Sequence, residues 1–226
     1  QPIEAISELL ADKPTISFHV DAVQALAKIP TEKYLTERVD FATFSSHKFH
    51  GVRGVGFVYI KSGKKITPLL TGGGQERDYR STTENVAGIA ATAKALRLSM
   101  EKLDIFTSNT GQMKAVIRQA LLDYPDIFVF SDEEDFAPHI LTFGIKGVRG
   151  EVIVHAFEDY DIFISTTSAC SSKAGKPAGT LIAMGVDKDK AQSAVRLSLD
   201  LENDMSQVEQ FLTKLKLIYN QTRKVR

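Results

Sequence analysis

Four side chains in this sequence have types and neighbours suited to covalent chemistry. Lys48 ends the run Phe44-Ser45-Ser46-His47-Lys48. A lysine just after an apolar run, beside two hydroxyls and an imidazole, can condense with an aldehyde once its amine is deprotonated. Desolvation and nearby positive charge both favour that state, and hydroxyls are good donors to a phosphate. The plain alternative is an exposed loop lysine, and so short a motif does not decide by itself. Asp21, in His19-Val20-Asp21-Ala22-Val23-Gln24, closes another apolar run. A carboxylate there caps a following helix, binds a cation, or holds a proton on an aromatic ring nitrogen. Cys170 is the single cysteine and sits between Ser165-Thr166-Thr167-Ser168-Ala169 and Ser171-Ser172-Lys173-Ala174-Gly175-Lys176-Pro177. Most lone cysteines are inert core residues, but a small-residue polar loop is the setting of an accessible thiol that can act as a thiolate. Arg196 lies inside Ala194-Val195-Arg196-Leu197-Ser198-Leu199, where a guanidinium must meet a carboxylate, either an internal one or a bound one.

Positioning these groups takes sheet edges and a tether. Residues 15–20, 39–44 and 54–60 are expected as strands, the first two ending in Asp21 and in Ser-x-His-Lys. One βα unit separates them, the spacing with which a parallel sheet brings both strand ends to one rim. Short apolar strands divided by helical or loop segments predict a sheet buried on both faces. Residues 2–10 read as a short helix. Gly72-Gly73-Gly74 opens a polar loop that runs to Thr83. The Ala-rich pattern over 84–103 predicts a long helix, and a second covers 111–122, ending before Pro125. Strands are expected at 128–130, 140–144, 162–165 and 195–199, with helices at 151–157 and 205–219. A domain boundary within or just after the Ala-rich helix divides the chain into 1–100 and 101–226. The residues between Cys170 and a helix starting near Pro177, Gly175 among them, form a loop long enough to be a mobile arm.

The bulk composition excludes several classes. Hydrophobic residues at 43% and charged residues at 25% are ordinary for a soluble globular protein. Lys plus Arg equals Asp plus Glu at 28 each, so no concentrated basic surface marks direct nucleic-acid binding; the late Lys214, Lys216, Arg223, Lys224 and Arg226 read as a solvated helix face. No stretch approaches the ~18 apolar residues that span a bilayer, and Gln1-Pro2-Ile3-Glu4 has no signal-peptide character. One cysteine excludes an internal disulfide framework and any site needing several thiolates. No metal site and a cytoplasmic location are the expectations. His50, His139 and His155 carry no comparable warrant, and His155 reads as structural. His19 could support Asp21.

Taken together, HVDAVQ, SSHKFHG, GVRGVG, GGGQER and Arg80-Ser81-Thr82-Thr83 resemble the fold-type I pyridoxal-phosphate enzymes of the class V aminotransferase group. The likeness is greatest to the NifS/IscS-like cysteine desulfurases and extends over essentially the whole chain. It implies an α/β protein: residues 1–100 as the C-terminal part of a mostly parallel, helix-flanked cofactor domain, and 101–226 as a small α+β domain carrying the cysteine loop. Lys48 would hold pyridoxal 5'-phosphate and move the substrate's α-proton. Asp21 would pair with the ring nitrogen, Gln24 with the ring hydroxyl, and Ser45 and His47 with the phosphate. Thr83 would reach the partner's phosphate across a homodimer interface, and Arg196 would bind the substrate carboxylate. Ser46 stands where relatives often have glycine.

The implied reaction converts L-cysteine to L-alanine through a ketimine and leaves a persulfide on Cys170. A sulfur-acceptor protein serving iron–sulfur cluster assembly or tRNA thiolation would then take the sulfur, and the long cysteine loop fits such a delivery. Another enzyme of the group, an aminotransferase or a selenocysteine lyase, shares Asp21 and Lys48 without needing a flexible cysteine. The relatives' N-terminal phosphate-binding turn, ring-stacking histidine and cofactor asparagine have no counterpart here. The chain is therefore expected to be an N-terminally truncated member, poorly active alone, or a non-catalytic dimerisation module.

Overall fold

Val20, Ala42 and Phe44 are the inward members of two short alternating runs, and their burial lays down the first sheet. The computed structural model describes residues 1–131, 136–166 and 179–224, with side chains to 222. The chain divides into two compact units, Gln1–Asp104 and Ile105–Arg226.

The first unit contains α1 (Ile3–Leu9), β1 (His19–Asp21), β2 (Phe41–Ser45), β3 (Gly56–Ile60) and α2 (Val86–Met100), with short 3-10 turns at Thr31–Lys33, Ser46–Phe49 and Gln75–Asp78. Its sheet has the order β1-β2-β3. β1 runs parallel to β2, with Asp21 opposite Thr43, and β3 returns antiparallel from Ser45↔Gly56 to Phe41↔Ile60. Thus the expected parallel pairing is present, but only between β1 and β2, and β1 is three residues long. Val20, Leu26, Tyr34, Val39, Phe44 and Phe49 belong to the core, and Phe44 stacks on Phe57 with ring centroids 4.7 Å apart. The expectation of burial on both faces fails at β3, where Phe57, Val58 and Tyr59 are 38%, 45% and 36% exposed.

A charged cluster helps tie the N-terminal segment to this sheet. Asp40 is 2% exposed and accepts from the Phe18 N–H at 2.9 Å, Arg38 at 3.0 Å and Lys64 at 3.1 Å. The same Arg38 guanidinium donates to the carbonyls of Leu10, Lys13 and Ile16, so one side chain gathers the chain between α1 and β1.

The second unit contains α3 (Leu103–Leu122), β4 (Ile127–Val129), β5 (Ile140–Ile145), α4 (Gly150–Glu158), β6 (Ser165–Thr166), α5 (Gly179–Ala183), α6 (Lys188–Gln192), β7 (Ala194–Ser198) and α7 (Met205–Lys224). Its sheet has the order β4-β5-β7-β6 and all pairings are antiparallel. Phe143, Ile153, Phe157, Val195, Phe211 and Leu215 anchor its core, with Phe157 and Phe211 stacked at 5.0 Å. Helix α3 begins eight residues before the expected position 111. Phe106, Thr110, Met113, Ile117 and Leu121 form one buried stripe along it, and this packing carries the helix through Gly111 despite that residue's low propensity. The strand expected over 162–165 is only Ser165–Thr166. Among the described residues no helix is long and apolar enough to cross a membrane.

Candidate active site

Lys48 sits in the Ser46–Phe49 turn directly after β2, half-buried rather than displayed on an open loop. Ser46 closes this turn through its main chain. Its N–H donates to the Val55 carbonyl at 3.0 Å, and its own carbonyl accepts from Gly51 N–H at 2.9 Å and from His50 N–H. His50 takes a left-handed conformation, φ 64°. Gly51 is required by space: a Cβ there would lie 2.0 Å from Ser46 Oγ and 2.9 Å from its carbonyl oxygen. Phe49 is 1% exposed and anchors the turn in the core, while helix α2 packs on the same turn.

Of the two hydroxyls before Lys48, only Ser45 is open to solvent, and partly. Ser46 is fully buried, with its Oγ 2.9 Å from Thr92 Oγ1 of α2, so it is not a phosphate donor. His47 is exposed. On the neighbouring strand, Asp21 ends β1 at the rim reached by Ser45. Its Oδ1 accepts from the Val23 N–H at 3.1 Å, a local turn bond and not a cap on a regular α-helix. Gln24 and His19 are exposed. The parallel register therefore gathers Asp21, Ser45, His47 and Lys48 at one end of β1 and β2. Thr83 is exposed and precedes α2 by three residues; the cap of that helix is Asn85, which accepts from Gly88 N–H at 3.0 Å.

In the second unit Arg196 occupies the middle of β7, paired with Thr142 of β5 and Ser165 of β6. Its Nε is buried with no hydrogen-bond partner among the described residues, so the internal salt bridge that would explain this arginine as purely structural is not found there. Cys170 lies outside the described residues, as does the start of the helix expected near Pro177. His155 is exposed and bonds Glu158 at 2.7 Å, a local pair on α4.

Thr92 and Asp40 have no assigned role in the sequence reading. Thr92 had a signal, being a hydroxyl inside an otherwise alanine-rich stretch. Asp40 had none, since one acidic residue ahead of a strand is unremarkable until its partners are known.

These residues fit pyridoxal phosphate. The first unit offers an amine for an aldehyde, a carboxylate for a ring nitrogen, and a hydroxyl and an imidazole for a phosphate. Asp21 commits one acceptor position to Val23, and a carboxylate has about four. In the second unit, considered by itself, the buried Arg196 Nε has no partner among the described residues, an arrangement that is costly to leave unpaired.

The aminotransferase class-V family matches residues 1–211. A NifS/IcsS protein homolog of Lactobacillus delbrueckii subsp. bulgaricus is 49% identical over the whole chain, which covers 59% of that protein. The cysteine desulfurase IscS of Clostridium botulinum is 35% identical, again over the whole chain and 57% of the relative. A solved NifS-like protein superposes with a TM-score of 0.85 over 97% of this chain and 57% of the other, at 35% identity. The chain thus spans a little over half the length of the curated relatives it matches. With this family match, a mixed α/β architecture like that of a NifS-like protein, and an amine and a carboxylate on adjoining strand ends, the chain belongs to the aminotransferase class-V family.

Proposed function

We propose that the protein carrying this chain is a pyridoxal-phosphate-dependent cysteine desulfurase that moves sulfur from L-cysteine to an acceptor protein. The single observation that carries the reading is the parallel register that sets Asp21 and the Lys48 turn at one rim of β1 and β2. The names of the NifS/IscS relatives support the choice of substrate.

When bound, the cofactor supplies an electron-withdrawing ring that weakens bonds at the substrate's α-carbon and, through it, the Cβ–Sγ bond. The side chains have separable tasks. The Lys48 amine holds the cofactor and carries the α-proton of the bound amino acid. Asp21 keeps the ring nitrogen protonated, and Gln24 bonds the ring hydroxyl. Ser45 and His47 donate to the phosphate, and Thr83 donates to the phosphate of a second copy in a symmetric dimer. Arg196 receives the substrate carboxylate as a planar fork. The Cys170 thiolate attacks the substrate sulfur: one S–S bond forms, the Cβ–Sγ bond breaks, and the carbon skeleton takes up protons and leaves as alanine. Residues 1–104 then serve as part of the cofactor domain and 105–226 as the smaller domain bearing the sulfur carrier. An iron–sulfur scaffold or a tRNA-thiolation protein receives the persulfide sulfur in the cytoplasm.

The test is incubation of the intact protein with cysteine, with mass spectrometry of the Cys170 peptide and assay of alanine. A gain of one sulfur at that peptide together with alanine is expected. Transamination that persists in Cys170→Ser, with no sulfur gained in the unaltered protein, would instead mark an aminotransferase. Lys48→Ala should lower alanine release at least about a thousandfold.

A further inference from the structure

We propose that the buried hydroxyl pair Ser46–Thr92 is a positioning device that clasps the lysine-bearing turn to α2 and fixes the starting point of the Lys48 side chain. The inference rests on Lys48 being the cofactor lysine and adds a residue pair that acts through it.

Ser46 stands two residues before Lys48 and is completely buried, with every polar atom engaged. Its partner Thr92 is 6% exposed, and Thr92 Oγ1 also bonds the Gly88 carbonyl of its own helix at 2.7 Å. One residue beyond Lys48, the Phe49 carbonyl accepts from Ser99 Oγ of α2 at 3.1 Å. Helix α2 therefore holds the turn on both sides of the lysine, at points seven residues apart along its own length.

A pair of methyl groups would fill the Ser46–Thr92 site about as well, and an apolar contact tolerates sliding. A hydrogen bond does not, because its energy falls steeply with distance and angle. The turn is tight, so any slide of Ser46 is passed on to the Lys48 backbone. The absence of a side chain at Gly51 leaves the room in which the Ser46 hydroxyl sits. Buried polar pairs that add little net stability but fix geometry are a recognised use of such groups.

The test uses the intact protein and the variants Thr92→Val, Ser46→Ala, their combination, and Thr92→Ser. Labelling of Lys48 by pyridoxal phosphate, trapped by borohydride and read on the peptide by mass spectrometry, is followed against pH, with thermal unfolding measured on the same samples. Thr92→Val strands the Ser46 hydroxyl and lowers the unfolding temperature, whereas the combined variant removes both partners and regains most of it. The combined variant nevertheless labels Lys48 about tenfold more slowly, with its pH midpoint moved, and Thr92→Ser labels like the unaltered protein. Unchanged rate and pH midpoint in the combined variant would overturn the clasp while leaving the role of Lys48 intact. No labelling of Lys48 in the unaltered protein would overturn the cofactor assignment itself.

Discussion

Arg196 and Asp40 illustrate two opposite uses of a charge in an interior. The Arg196 Nε has no partner among the described residues, and on the proposed reading its charge receives an incoming carboxylate. Arg196→Lys loses the planar fork and should raise KM for cysteine about tenfold to a hundredfold with a smaller change in kcat, measured by steady-state kinetics of alanine release. Asp40 is saturated. Burial pushes its carboxyl up, but bonds from the Phe18 N–H, Lys64 and Arg38 outweigh this and hold it below the ordinary 3.8. A carboxyl depressed by folding stabilises fully above its unfolded pKa, and the contribution is lost as pH falls through the folded value. Asp40→Asn should therefore destabilise by about 3 kcal/mol near neutrality. It should also flatten the loss of stability below roughly pH 4, measured by denaturant titration across pH.

At the level of elements, the second unit depends on a few large contacts. Phe211 of α7 stacks flat on Phe157 of α4, and Phe211→Ala should cost about 4 kcal/mol, seen as a lower denaturant midpoint. Alternation and strand-end residues made β2, β3, β5 and β7 legible in the sequence to within a residue or two. They made Asp21 and Lys48 legible as strand-end groups as well. The first half of α3 was not legible, because Ser108, Asn109 and Gly111 speak for a loop and only the buried stripe from Phe106 to Leu121 overrides them. The orphaned Nε of Arg196 and the burial of Ser46 were equally hidden: each depends on partners that lie 31 to 54 positions away in sequence. The sequence motif suggested two phosphate donors before Lys48, whereas α2 takes one of them for itself.

On the scale of the whole chain, the two units differ in self-sufficiency. Residues 105–226 combine a four-stranded sheet with α4 and α7 around a continuous aromatic and aliphatic core. Expressed alone, this unit should give a single cooperative unfolding transition by calorimetry. The first unit leans more on directed polar bonds, and Arg38 is the extreme case. Helix α1 buries only Ser7, and the segment that follows it is tied down by a single planar cation that reaches three carbonyls and Asp40 at once. An ammonium has a single nitrogen and cannot span that set. A charge-preserving exchange to lysine would thus leave the net charge untouched while loosening residues 10–16, opening that stretch to proteolytic cleavage.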